Sequence, residues 1–160
     1  MAPKRNIKIK IRKATVKDVS RIYRIVNTFA NQDLLLPRSF NQLYDDIRDF
    51  WLFEKNGKIC GCVSLNITWK DLAEIRSLVV IKTEQNKGIG TKLIRTALNE
   101  AKGLEIKKIF VLTKIPEFFE KFGFQKMPKR SFPRKIWSEC INCPKFPNFC
   151  DEVALMIEMQ

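Results

Sequence analysis

Residues 7 to 13 alternate Ile with Lys or Arg, the period of two expected for a strand with one exposed face. The period then lengthens. Thr15 followed by Asp18 resembles a capping box with Asp in place of Glu, and Val19, Ile22, Val26 and Phe29 recur at helical spacing, so a first helix runs to about Asn31. Leu34 to Pro37 breaks it, and Ser39 can cap a short second helix with Leu43, Ile47 and Phe50 along one side. Three extended segments follow: Trp51 to Glu54, a turn at Asn56-Gly57, Ile59 to Thr68, a polar turn at Lys70-Asp71, and Leu72 to Ile81. They read as an antiparallel meander.

From Gly88 the pattern is helical again, with Ile89, Leu93, Ala97 and Ala101 in one stripe. Ile106 to Leu112 reads as a buried strand. Pro116 suits the first turn of a short helix through Phe122, which Gly123 ends. Phe124 to Met127 and Glu152 to Met159 are the last two strands. The order β-α-α-β-β-β-α-β-α-β-β predicts a mixed α/β protein.

At 160 residues the chain has the length of one domain, expected to span 1–160. Residues 1–13 would form a basic first strand and arm, and residues 128–151 a Pro- and Cys-rich insertion before the last strand. Hydrophobic residues make up 45% and charged residues 29%, which argues for a packed core and against disorder. The longest apolar run is too short for a membrane helix, and the basic N-terminus lacks the apolar stretch of a signal peptide. A cytoplasmic protein with no membrane partner is expected.

The formal net charge is +13, but residues 1–13 and 121–135 together hold nearly all of the excess, and the rest is close to neutral. No RNA-binding strand pair or recognition helix accompanies these segments, so nucleic acid is not the expected partner. The absence of His removes Ser-His-Asp and Cys-His mechanisms and every His-ligated metal site. The five cysteines are Cys60, Cys62, Cys140, Cys143 and Cys150. Cys140, Cys143 and Cys150 begin half of a zinc pattern whose fourth ligand would have to be Cys60, Cys62 or a carboxylate such as Asp151; buried thiols are the alternative. No metal is required for the chemistry expected here.

The most informative stretch joins a strand to a helix: Val79-Val80-Ile81-Lys82-Thr83-Glu84-Gln85-Asn86-Lys87-Gly88-Ile89-Gly90-Thr91. Two glycines where a helix begins let a ligand approach the backbone, and the unpaired N–H groups of the first turn favour an anion. A Rossmann fingerprint fails because its third glycine position is Leu93, and a P-loop fails on spacing. The alternative is two glycines that merely ease a tight turn.

The Gln-x-x-Gly-x-Gly of Gln85 to Gly90 resembles the acetyl-CoA pyrophosphate loop of the GNAT superfamily of N-acetyltransferases. Phe118-Phe119-Glu120-Lys121-Phe122-Gly123-Phe124 looks like that family's second signature, usually Tyr-Glu-x-x-Gly-Phe. The element order agrees over nearly the whole chain. Within the superfamily, the segments LLPRS, WKDLAEIRSLVV, PEFFEKFGF, KIWSEC and CPKFP together resemble the short glutamate N-acetyltransferases of arginine biosynthesis. The resemblance implies a twisted, mostly antiparallel sheet of about seven strands flanked by about four helices, with acetyl-CoA as co-substrate. It also implies that Leu78, Val79, Val80, Gln85, Asn86, Lys87, Gly88, Ile89, Gly90, Thr91, Phe118 and Phe119 hold acetyl-CoA. Backbone amides from Asn86 to Thr91 would take the pyrophosphate, with Lys87 or Lys92 adding charge, and Leu78 to Val80 would pair with the pantetheine arm as an added strand does.

Acetyl transfer to an amine needs a neutral nucleophile, a polarised thioester carbonyl and a proton for the departing thiolate. Glu74 stands where several members of the resembled family place their general base; the alternative is a strand carboxylate paired with Arg76. The family's bulge in this strand would aim a backbone N–H near Leu78 at the oxyanion. The Tyr position of the second signature is Phe119, and the only tyrosines, Tyr23 and Tyr44, lie in the early helices, so the usual general acid is missing. An acceptor with two carboxylates calls for paired cations, for which Arg38, Arg76, Lys114 and Lys135 are the candidates, each otherwise a solvated surface charge.

These observations predict an acetyl-CoA-dependent amino-acid N-acetyltransferase acting on the α-amine of L-glutamate or L-glutamine. Alternatives are an acetyltransferase for another small amine or a protein N-terminus, or a non-catalytic module that binds acetyl-CoA or a polyanion. The sequence leaves open whether the chain forms a homodimer.

Overall fold

A computed structural model describes residue 3 and residues 5–32, 35–132 and 152–160. The elements run β1 (Ile9–Lys13), α1 (Val19–Ala30), α2 (Phe40–Asp45), β2 (Phe50–Lys55), β3 (Lys58–Trp69), β4 (Leu72–Val80), α3 (Ile89–Gly103), β5 (Lys108–Thr113), α4 (Pro116–Glu120), β6 (Gln125–Lys126) and β7 (Val153–Glu158). The order is the expected one. The strands form a seven-stranded sheet ordered β1-β2-β3-β4-β5-β7-β6. Adjacent pairs β1–β2, β2–β3, β5–β7 and β7–β6 are antiparallel, and β4–β5 is parallel.

Element ends depart from the sequence reading where local geometry intervenes. The second helix stops at Asp45 because Asp46 leaves helical geometry (φ −99°, ψ 9°). A 3-10 turn, Ile47–Asp49, follows, and Phe50 opens β2 instead of ending the helical stripe. The strand expected from Ile106 starts at Lys108, because α3 closes with a Schellman cap. Glu105 takes φ +60°, its N–H donates to the Lys102 carbonyl, and the Ile106 N–H donates to the Ala101 carbonyl.

The chain divides into two compact units, Met1–Asn66 with Arg76–Glu100 and Ile67–Ile75 with Ala101–Gln160; β3 and β4 each contribute to both. In the first, Val19, Ile22 and Val26 of α1 and Leu43 of α2 pack with Ile47, Phe50, Leu52, Ile59, Cys62 and Val79. Both predicted caps are present: the Thr15 N–H donates to the Asp18 carboxylate at 2.8 Å, and the Ser39 hydroxyl accepts from the Gln42 N–H at 3.1 Å. In the second unit, Leu72, Phe110, Phe132 and Ala154 form the core with Leu112 and Met156 packed on it.

Candidate active site

The loop after β4 is set by a close approach of backbones. β2 and β3 change register between Phe53 and Glu54, and the Cys60 carbonyl accepts from the Ile81 N–H at 2.9 Å. A Cβ on Gly61 would meet the Val79 carbonyl oxygen at 2.8 Å and Leu93 Cδ1 at 3.2 Å, so only glycine lets β3, β4 and α3 come this close. Sequence reading did not single out Gly61, although a lone glycine inside a strand pattern is a signal for such an approach.

Beyond Ile81 the chain makes a 3-10 turn, Lys82–Glu84, and the Gln85 side-chain amide donates back to the Val80 carbonyl at 3.0 Å. Asn86 (φ +62°) and Gly88 (φ +80°) are both left-handed. Glycine at 88 answers to that dihedral, since a Cβ there would meet nothing within 4 Å. The Lys92 N–H reaches the Gly88 carbonyl at 3.1 Å, one helical turn on. The N–H groups before it belong to the first turn of a 15-residue helix, where the peptide dipoles favour an anion. Glu84 lies beside this turn, bonded by Lys55 at 3.2 Å and Lys87 at 3.4 Å, and the Lys55 bond leads in holding its carboxyl below the ordinary range. Lys92 Nζ sits 5.9 Å from the centre of the Phe53 ring.

Along β4, Ser77 takes φ +50°, a break in extended geometry one residue before Leu78, and its carbonyl accepts from Cys62 Sγ at 3.3 Å. Val79 is buried, while Leu78 and Val80 are half-buried. Arg76 Nη2 donates to the Asn66 side-chain oxygen, and Asn66 Nδ2 donates to Asp49 Oδ2 at 2.9 Å. Burial is the main force raising the Asp49 carboxyl above its ordinary value. Arg38 is only 8% exposed, which corrects its reading as a solvated surface charge. Its backbone is clamped by Asn27, whose side chain accepts from the Arg38 N–H at 3.0 Å and donates to the Arg38 carbonyl at 2.9 Å. Asn27, Asp49 and Asn66 escaped sequence reading because single polar residues on helix and strand patterns carry no spacing signal.

The first unit therefore contains Leu78–Val80, the loop Gln85–Thr91, Arg38 and Arg76. The second contains Glu74, half-buried and in register with Phe110, together with half-buried Lys114 and Phe118 and with Phe119. Phe119 is buried, with Phe118 and Phe124 edge-on at 5.2 and 5.7 Å, so aromatic packing occupies the position where the second signature has Tyr. Tyr23 stacks on Phe40 at 4.0 Å, and Tyr44 is exposed on α2. Lys135, Cys140, Cys143, Cys150 and Asp151 lie outside the described residues. Cys60 and Cys62 are buried free thiols, the latter pushed up to about 12 by burial. Among the described residues no group of three or more His, Cys, Asp or Glu could hold a metal ion, and no helix is long and apolar enough to cross a membrane.

Residues 16–124 match the model of the acetyltransferase (GNAT) family. The chain is 38% identical over 146 residues to an uncharacterized N-acetyltransferase of Chlorobaculum tepidum, covering 91% of this chain and 94% of that one. It is 33% identical over 132 residues to the amino-acid acetyltransferase of Mycobacterium tuberculosis, covering 81% and 75%. Its fold matches the crystal structure of N-acetylglutamate synthase from Neisseria gonorrhoeae complexed with coenzyme A and N-acetyl-glutamate, with a TM-score of 0.85 and 26% identity. That match covers 96% of this chain and 35% of that protein, so the chain spans about a third of its length. The chain belongs to the GNAT acetyltransferase family and is an N-acetyltransferase with acetyl-CoA as its co-substrate.

Proposed function

We propose that this N-acetyltransferase transfers the acetyl group of acetyl-CoA to the α-amine of L-glutamate or L-glutamine, the reaction that opens arginine biosynthesis. The observation that carries the reading is the state of two arginines. Arg38 is buried with its backbone clamped, and Arg76 is held by a side-chain amide, in the unit that also contains the loop opening α3. Guanidinium forks of this kind suit an acceptor bearing carboxylates, whereas a polyamine or basic peptide calls for acidic walls. The names of the Mycobacterium and Neisseria relatives support the same substrate class.

In this reading the pyrophosphate binds the amides from Asn86 to Thr91, and the pantetheine arm lies along Leu78 to Val80. Phe118 and Phe119 support the cofactor from α4, and Lys114 and Lys135 add positive charge for the acceptor. Glu74 takes a proton from the substrate ammonium through water. The free amine attacks the thioester carbon, the C–N bond forms, and a backbone N–H near Leu78 stabilises the oxyanion. The C–S bond then breaks, and the thiolate takes its proton from water or from the ammonium of the intermediate, because Phe119 has none to give.

A thiol-release assay with a panel of amino acids, polyamines and peptides tests the reading. Release with L-glutamate or L-glutamine is expected, and Glu74→Gln should lower turnover by ~100-fold or more. Preference for an amine without a carboxylate would reject the substrate, an absence of thiol release with every acceptor in the panel would point to a binding module, and an unchanged Glu74→Gln pH–rate profile would reject the base.

A further inference from the structure

Asn66 is the last residue of β3 in the first unit, and its amide joins two charged groups from different elements. On one side its oxygen accepts from Arg76 Nη2 on β4; on the other its NH2 donates to Asp49 Oδ2 in the turn before β2 at 2.9 Å. The orientation of the amide follows from the chemistry of its neighbours. A guanidinium only donates and an ionised carboxylate only accepts, so the oxygen must face Arg76 and the nitrogen Asp49. All three side chains are partly shielded from water, where such bonds hold geometry better than on an open surface. An arginine has many rotamers, and holding one of them before a ligand arrives lowers the ordering cost of binding. An amide does this with a dipole, adding no full negative charge beside the cation.

We propose that Asn66, itself held by Asp49, is a positioning residue that aims the Arg76 guanidinium at a carboxylate of the acceptor. The inference rests on the reading that the acceptor is an acidic amino acid or its amide, and it adds two residues that set acceptor recognition without contacting acetyl-CoA.

Steady-state kinetics of Asn66→Ala, with L-glutamate and L-glutamine as acceptors, test it. The acceptor KM is expected to rise about 10-fold while the acetyl-CoA KM stays within about twofold, the size of one charge-assisted hydrogen bond lost on one substrate only. In an Arg76→Ala background the same substitution should have no further effect on the acceptor KM, because the residue it positions is gone. Asp49→Asn, which keeps the side-chain shape, should move the acceptor KM in the same direction by a smaller factor and serves where Asn66→Ala fails to fold. A wild-type chain that acetylates neither acid overturns the substrate reading and this inference with it. A wild-type chain that acetylates either acid, with acceptor KM values unmoved in both variants or with both substrates' KM values rising together, overturns the positioning role alone.

Discussion

Two carboxylates in the first unit meet an arginine in different ways. Asp18, 4% exposed, receives both Nη atoms of Arg12 at 2.8 and 2.9 Å, while Arg12 Nε also donates to Glu54 at 3.2 Å. The Arg12 bonds outweigh the burial that opposes them, and the Asp18 carboxyl is lowered to about 2. Asp49 is linked to Arg76 through the Asn66 amide, and there burial wins and the carboxyl is raised. A direct fork satisfies both partners and fastens β1 to the start of α1. A linkage through an amide aligns a cation with a dipole. The same pair of residue types serves stability in one place and, in our reading, recognition in the other.

The comparison breaks most visibly at Arg12. Arg12→Ala leaves Asp18 buried without its fork and should lower unfolding free energy by ~3–5 kcal/mol in urea titrations. Both substrate KM values should stay unchanged in the folded protein, and a shift in either would mean that the Asp18 corner also serves the site. Gly90→Glu provides the opposite case, since the proposed phosphate site is built from backbone and not from either carboxylate. It should weaken acetyl-CoA binding by ~2 kcal/mol in calorimetry, with both carboxylate arrangements and the circular dichroism spectrum intact.

Acidity sharpens the contrast, because the two shifts have opposite signs. Asp18 titrates lower in the folded chain than in the unfolded one. Its contribution of about 2 kcal/mol is therefore present above the ordinary carboxylate range and lost as pH falls from about 4 towards 2. Unfolding measured against pH should show that loss in the wild type and much less of it in Asp18→Asn. Asp49 titrates higher when folded, so its contribution is present below the ordinary value and fades as pH rises through the folded one. Asp49→Asn should leave the Asp18 acid limb in place and give the smallest stability change of the series.

Much of this molecule could be read from one sequence. Element order followed from periodicity, and the caps at Thr15 and Ser39 from residues three apart, because these signals arise between neighbours in the chain. The loop from Gln85 to Gly90 was legible for the same reason: a left-handed Gly88 opening a helix is a local event with a local residue requirement. The burial of Arg38 was not legible, since its charge predicts exposure, and the Asn27 amide that clamps its backbone stands 11 residues away. The requirement for glycine at 61 comes from the Val79 carbonyl and Leu93, contacts no local window contains. The Asp49–Asn66 bond spans 17 residues and the Arg12–Glu54 bond 42. Sequence by itself determined what each segment becomes and which loop opens a helix on a left-handed glycine. Only tertiary structure decided which charges are buried, and with what partner, because desolvation and hydrogen bonding depend on the atoms that folding brings alongside.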